Sequence, residues 1–227
     1  MIQRLLPLML FVTLAGCVTP PPAPVIKSPA PAPAPADPIA TTTPVPAPLP
    51  APAPKPAGNP IVEIVTNQGT ITVELFADKA PGTVKNFLRY VDGKHYNKLV
   101  FHRVIKTFMI QGGGFDAGYT KHNAKHPQIT NEADNGVSNE RYTLAMARTR
   151  DPHSAAAQFF INTKDNTFLD HSAKTVRGWG YCVFGKVIAG KKTVDTIAAV
   201  PVGPGMDGAM SKPKSPVIIK TIQRKTK

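Results

Sequence analysis

From Ile61 onward, apolar and polar positions alternate in two short runs. These are Ile61-Val62-Glu63-Ile64-Val65 and Thr70-Ile71-Thr72-Val73-Glu74-Leu75, separated by Asn67-Gln68-Gly69. Alternation rich in β-branched side chains around a polar, glycine-containing break predicts a β-hairpin. The period then changes. Pro81 opens a segment in which Val84, Phe87, Leu88 and Val91 recur at helical spacing, and Gly93 closes it. A second helix is expected over 192–200, where Val194, Ile197 and Ala198 share a face. Further β-rich runs at 99–105, 108–111, 142–147, 158–161, 181–187 and 217–222 bring the count to about eight strands. Many short strands with two helices predict a mainly β fold, a closed or nearly closed antiparallel barrel of eight strands with the helices covering its ends.

The patterning stops upstream of Ile61. Residues 18–60 carry 17 of the 25 prolines of this 227-residue chain, with two lysines, one aspartate and no aromatic residue. Such a segment cannot bury a core. Its proline–alanine alternation favours polyproline II, a semi-rigid spacer rising ~3.1 Å per residue that could reach on the order of 100 Å. A proline-rich docking ligand is the alternative. Before it, Arg4 precedes about ten mostly apolar residues and then Ala15-Gly16. That run is short for a membrane span of about 20 residues and has the layout of a secretory signal. The expected division is a leader over 1–16, a tether over 17–60 and one domain over 61–227. That domain has 167 residues, enough to bury roughly 70% of its unfolded-chain surface.

Leu14-Ala15-Gly16-Cys17 resembles the lipobox of bacterial lipoproteins. The resemblance implies cleavage before Cys17 and lipidation there, a durable membrane anchor when several acyl chains insert. Val18 at the next position favours the outer membrane, so the expected location is the bacterial cell envelope, facing the periplasm. Cys182, the domain's one cysteine, lies in the apolar run Tyr181-Cys182-Val183-Phe184 and is expected to pack as a buried apolar residue. The domain's net charge is +11, from 24 basic and 13 acidic residues. No run of five basic residues occurs, so a generally basic, solvated surface is expected, with no nucleic-acid partner. Association with anionic envelope glycans is a weaker alternative.

Several chemistries lack support. No phosphate-binding Gly-x-x-x-x-Gly-Lys loop occurs, and no serine sits in a nucleophile elbow. His122 and His126 are four apart, but Pro127 and the polar surroundings predict a loop, and no third ligand stands out. Neither metal nor cofactor is expected. What stands out is Phe101-His102-Arg103-Val104-Ile105-Lys106-Thr107-Phe108-Met109-Ile110-Gln111-Gly112-Gly113, with Ala147 and Gln158-Phe159-Phe160 further on. Strand alternation puts Arg103 and Ile105 on one side and lets Met109 and Gln111 share a face. The set describes an apolar pocket with a permanent cation and two amides. It suits a reaction whose transition state changes hydrogen bonding without proton transfer.

These residues closely resemble the cyclophilin family of peptidyl-prolyl cis–trans isomerases. Asn131-Glu132, Met146-Ala147, Gln158-Phe159-Phe160-Ile161-Asn162 and Val183-Phe184-Gly185-Lys186-Val187 match further blocks in order, and Ala145-Met146-Ala147-Arg148-Thr149 and Gly178-Trp179-Gly180-Tyr181 look like the bacterial branch. The resemblance implies Arg103, Phe108 and Gln111 as catalytic residues, with Gln111 orienting the Arg103 guanidinium. It implies Phe108, Met109, Phe160 and Leu169 as the walls of the proline pocket. Ala147, Arg148 and Gln158 would bind the residues before proline, and Phe168 and Tyr181 would complete the substrate contacts. Phe168 stands where eukaryotic cyclophilins carry a tryptophan that contacts cyclosporin, so weak cyclosporin binding is expected. The implied partners are extended proline-containing segments of exported proteins, bound by a monomer. A module that holds such segments without turnover is the alternative.

Overall fold

A computed structural model describes residues 58–225. The leader, Cys17 and all but the last three residues of the tether lie outside the described residues. Strand β1 (Ile61–Thr66) buries Val62, Ile64 and Thr66 and leaves the intervening side chains half exposed, the alternation its sequence carries. It pairs with β2 (Gly69–Leu75), Ile64 opposite Ile71, around the expected turn. Helix α1 (Pro81–Asp92) follows. Its N-terminal residue Ala80 offers no side-chain cap, and a distant carboxylate supplies one. Glu132 accepts hydrogen bonds from the backbone N–H groups of Gly82 and Thr83 at 3.0 and 2.8 Å, and from the Thr83 hydroxyl at 2.7 Å. Those N–H groups have no partner inside the helix, and an anion there also meets the positive end of the helix dipole.

The remaining elements are β3 (Leu99–Ile105), β4 (Met109–Asp116), β5 (Thr143–Met146), β6 (Phe159–Asn162), β7 (Val183–Ala189), α2 (Lys191–Ala198), β8 (Val202–Pro204), β9 (Met210–Pro213) and β10 (Ile219–Arg224). Eight strands form one antiparallel sheet in the order β10-β1-β2-β7-β5-β6-β4-β3. The two ends of that order meet. Val100 bridges Ile218, the Phe101 N–H donates to the Val217 carbonyl at 2.9 Å, and the Lys98 N–H donates to Ile219 at 2.8 Å. The mainly β, eight-stranded, nearly closed antiparallel barrel with two helices is therefore the observed fold, and closure leaves no long unpaired edge.

Alternation along each strand makes two apolar regions. Ile64, Ile71, Ile110, Leu144, Phe159, Ile161 and Phe184 belong to the large core, into which α1 inserts Phe87. The Phe87 ring meets Phe159 edge-on at 5.5 Å and lies 5.2 Å from Phe184. The neighbours of these residues along the strands, Met109, Ala145, Phe160 and Val183, point the other way and form a second, smaller cluster. Cys182 packs in the large core, and burial pushes its thiol up to about 12, which fits an inert side chain.

Two features depart from the expectation. Strand β4 does not stop at Gln111 but continues through three glycines to Asp116. A Cβ at Gly114 would collide with the Gln158 side chain, so the glycine lets β4 pass beneath that amide. A two-stranded hairpin, β8 with β9, also lies outside the barrel order. Sequence periodicity did not mark it, because each strand is only three or four residues long.

Candidate functional site

The barrel's cross-strand pairing assembles the site. Arg103 on β3 stands opposite Gln111 on β4, Gln111 opposite Phe160 on β6, Phe160 opposite Ala145 on β5, and Ala145 opposite Val183 on β7. Residues in register share a face, so this single rung carries a cation, an amide and the floor of the second apolar cluster. Ile105 opposite Met109 forms the next rung.

Phe108 occupies the turn between β3 and β4, and buried amides hold it. Its carbonyl accepts from the Thr163 N–H at 3.0 Å and from Asn166 Nδ2 at 2.8 Å. Asn166 also donates to Asn162 Oδ1 at 2.8 Å, and Asn162 donates to Asn139 and Thr143 at 3.2 and 2.9 Å. A buried network whose members are all paired fixes one arrangement of the turn. The ring of Phe108 stacks on Phe168, centroids 5.8 Å apart, and Phe168 itself is 74% exposed.

The far wall comes from two segments tied together. The Tyr181 N–H donates to the Leu169 carbonyl at 2.9 Å, and the Tyr181 ring meets Phe160 edge-on at 5.7 Å. The Arg148 guanidinium lies over Tyr181 at 4.5 Å, while its Nε donates to the Gly180 carbonyl at 2.9 Å.

Together these groups enclose a cavity of about 240 Å³ lined by Arg103, Phe108, Met109, Gln111, Ala147, Arg148, Phe160, Leu169 and Tyr181. Nine of the eleven residues singled out in the sequence line it. Gln158 lies in an adjoining cavity of about 260 Å³ that shares Gln111, Ala147 and Arg148 and adds Lys121, His122, Thr149 and Ser154. Phe168 touches the rim through Phe108. His122 bonds Asp116 Oδ2 at 3.0 Å, and His126 packs against Tyr90.

One expected contact is absent. Gln111 does not orient Arg103: its amide nitrogen donates to Gln158 Oε1 at 2.9 Å. The partner of Arg103 is Asp207, whose Oδ2 accepts from Nε at 2.5 Å. Nη1 of Arg103 lies 3.8 Å from the Met109 sulfur. Burial opposes ionisation of Asp207, but the bonds from Arg103, Ser211 and Ala209 outweigh it and hold the carboxyl down at about 2. Sequence reading missed Asp207 because it lies about a hundred residues away. The available signal was the Asp207-Gly208 pair between short runs, a turn dipeptide.

Residues 61–224 match the family model described as cyclophilin type peptidyl-prolyl cis-trans isomerase/CLD. The chain belongs to the cyclophilin-type peptidyl-prolyl cis–trans isomerases. Its cyclophilin domain is 53% identical over 160 residues to the isomerase cyp18 of Streptomyces antibioticus, covering 70% of this chain and 95% of that protein. Isomerase B of Escherichia coli is 53% identical over 163 residues, covering 71% of this chain and 98% of its own. Among solved structures, a cyclophilin-type isomerase of Cryptosporidium parvum superposes with a TM-score of 0.61 at 28% identity, covering 74% of this chain and 99% of that one. The expected likeness to bacterial cyclophilins agrees with these identities.

Proposed function

We propose that the enzyme accelerates X-Pro rotation by a hydrogen bond from Arg103 to the prolyl nitrogen of a substrate whose ring occupies the cavity over Phe160. Amide resonance sets a barrier of ~18–20 kcal/mol. As the bond twists, the nitrogen becomes pyramidal and regains a lone pair. A donor aimed at that lone pair binds the transition state better than the planar ground state, and only such a difference raises the rate. Each ~1.4 kcal/mol so gained is tenfold. The observation that carries this reading is Arg103 on the same rung as Phe160, tethered by Nε, with Nη1 only weakly engaged by the Met109 sulfur at 3.8 Å. Phe108, Met109 and Leu169 exclude water around the ring, which strengthens that bond. Gln111, Gln158 and the backbone at Ala147 and Arg148 bind the residues before proline, and Phe168 and Tyr181 flank them.

The test is peptide prolyl isomerisation by the purified protein, wild type against Arg103→Ala. Fast turnover lost in a folded mutant supports the mechanism. Proline-peptide binding without turnover by wild type would instead make the domain a holding module.

The cellular setting follows from the leader. Cleavage before Cys17 and acylation there would tether the enzyme to the envelope on its proline-rich segment, facing exported chains whose uncatalysed X-Pro isomerisation takes tens to hundreds of seconds. Leu14-Ala15-Gly16-Cys17 supports this. Metabolic labelling with a fatty acid, with Cys17→Ser as control, tests the anchor. Density-gradient separation of the envelope tests the outer-membrane assignment.

A further inference from the structure

We infer that Asp207, carried by the β8–β9 hairpin, is a positioning residue for the isomerisation, holding Arg103 by its Nε edge so that the Nη groups face the prolyl cavity. The inference rests on the reading that Arg103 acts at the prolyl nitrogen. Arginine offers five N–H donors in a planar fork. One of them, on Nε, is taken by Asp207 Oδ2, and one on Nη1 is directed at the Met109 sulfur at 3.8 Å, which leaves three on the two Nη atoms. An untethered arginine at a rim would lose rotamer freedom each time it engaged substrate, and the carboxylate removes that loss beforehand.

The carboxylate is itself anchored. Asp207 Oδ1 accepts from the Ser211 hydroxyl at 2.7 Å and from the Ala209 N–H at 3.1 Å, and Ser211 is buried. The turn is closed by the Gly205 N–H to the Ala209 carbonyl at 2.7 Å. A Cβ at Gly205 would collide with Ser211 Oγ and press on Asp207 Oδ1. Gly205 thus permits the approach that fixes the acid. The ion pair is about one-third exposed on both sides, so solvent screens its Coulomb energy. What it supplies is direction.

The experiment compares Asp207→Ala, Asp207→Asn and Gly205→Ala with wild type and Arg103→Ala in the full purified chain. The readouts are kcat and KM by peptide isomerisation, thermal melting, and the Nε–H resonance of Arg103. Positioning predicts a fall in kcat on the order of ten- to a hundredfold for Asp207→Ala, as misaligned catalytic groups give, with KM and melting nearly unchanged. The Arg103 Nε–H signal should shift. Asp207→Asn should recover part of the rate, since its amide oxygen still accepts from Nε. Gly205→Ala, which keeps the acid and displaces it, should lower kcat as well. Unchanged or raised kcat in a folded Asp207→Ala protein, with Arg103→Ala still inactive, would overturn the role of Asp207 and leave the isomerase mechanism standing. Absence of turnover in wild type removes both, and that control tells the two failures apart.

Discussion

Gln111 lies directly across the β3–β4 ladder from Arg103, yet its amide nitrogen donates to Gln158 at 2.9 Å. The two glutamines therefore form a bridge where the cavity lined by Arg103 meets the adjoining one. Gln158→Ala should free Gln111 and remove one backbone partner. One hydrogen bond is worth ~0.5–1.5 kcal/mol net, so KM should rise about two- to tenfold while kcat changes less. Steady-state peptide isomerisation separates the two.

Glu132 reaches the start of α1 from fifty residues downstream and satisfies two backbone donors and a buried hydroxyl. Glu132→Ala leaves all three without that partner. Bonds to a charged acceptor are worth roughly 1.5–3 kcal/mol, which for a domain of this size corresponds to a melting temperature lower by about 3–12 °C. Thermal unfolding followed by circular dichroism measures it, and Glu132→Gln should recover part of the loss.

His102 is buried against Phe115, ring centroids 4.6 Å apart. Burial lowers its pKa from 6.5 to about 4. The folded protein thus refuses a proton that the unfolded chain accepts. Stability is unaffected by this group above pH 6.5 and falls as pH drops from there towards 4, by up to ~3 kcal/mol. Urea unfolding at pH 7.5 and 4.5 should show the decline, and His102→Gln should flatten it.

Phe168 stacks on Phe108 with most of its surface exposed. A phenyl ring supplies an apolar wall without the N–H donor of an indole. Cyclosporin should bind weakly, and calorimetry with Phe168→Trp should show about a tenfold gain in affinity, the scale of one added hydrogen bond. Nanomolar binding by wild type would contradict the expectation.

The elements with the clearest signals in the sequence were those whose periodicity reports burial on one side. The alternation of Val62, Ile64, Ile71 and Val73 marked the first hairpin, and Val84, Phe87, Leu88 and Val91 marked α1, because each pattern is local. The apolar wall residues Met109 and Phe160 were recognisable by resemblance and by their place in β-rich runs. β8 and β9 were not, since Pro204 and the three glycines within 203–208 leave too few alternating positions. Strand ends also shifted. The 181–187 run begins as a strand only at Val183, because the Tyr181 N–H is committed to Leu169.

What the sequence by itself determined was the kind of fold, the residues that could form an apolar pocket around a cation, and the family to which they belong. Only the tertiary structure decided which partners those residues take. Arg103 and Asp207 are 104 residues apart, and Gln111 and Gln158 are 47 apart. Such pairings depend on barrel closure and strand register. Periodicity sees neighbours three or four residues away, whereas the carboxylate that takes the Nε of Arg103 comes from a hairpin about a hundred residues downstream.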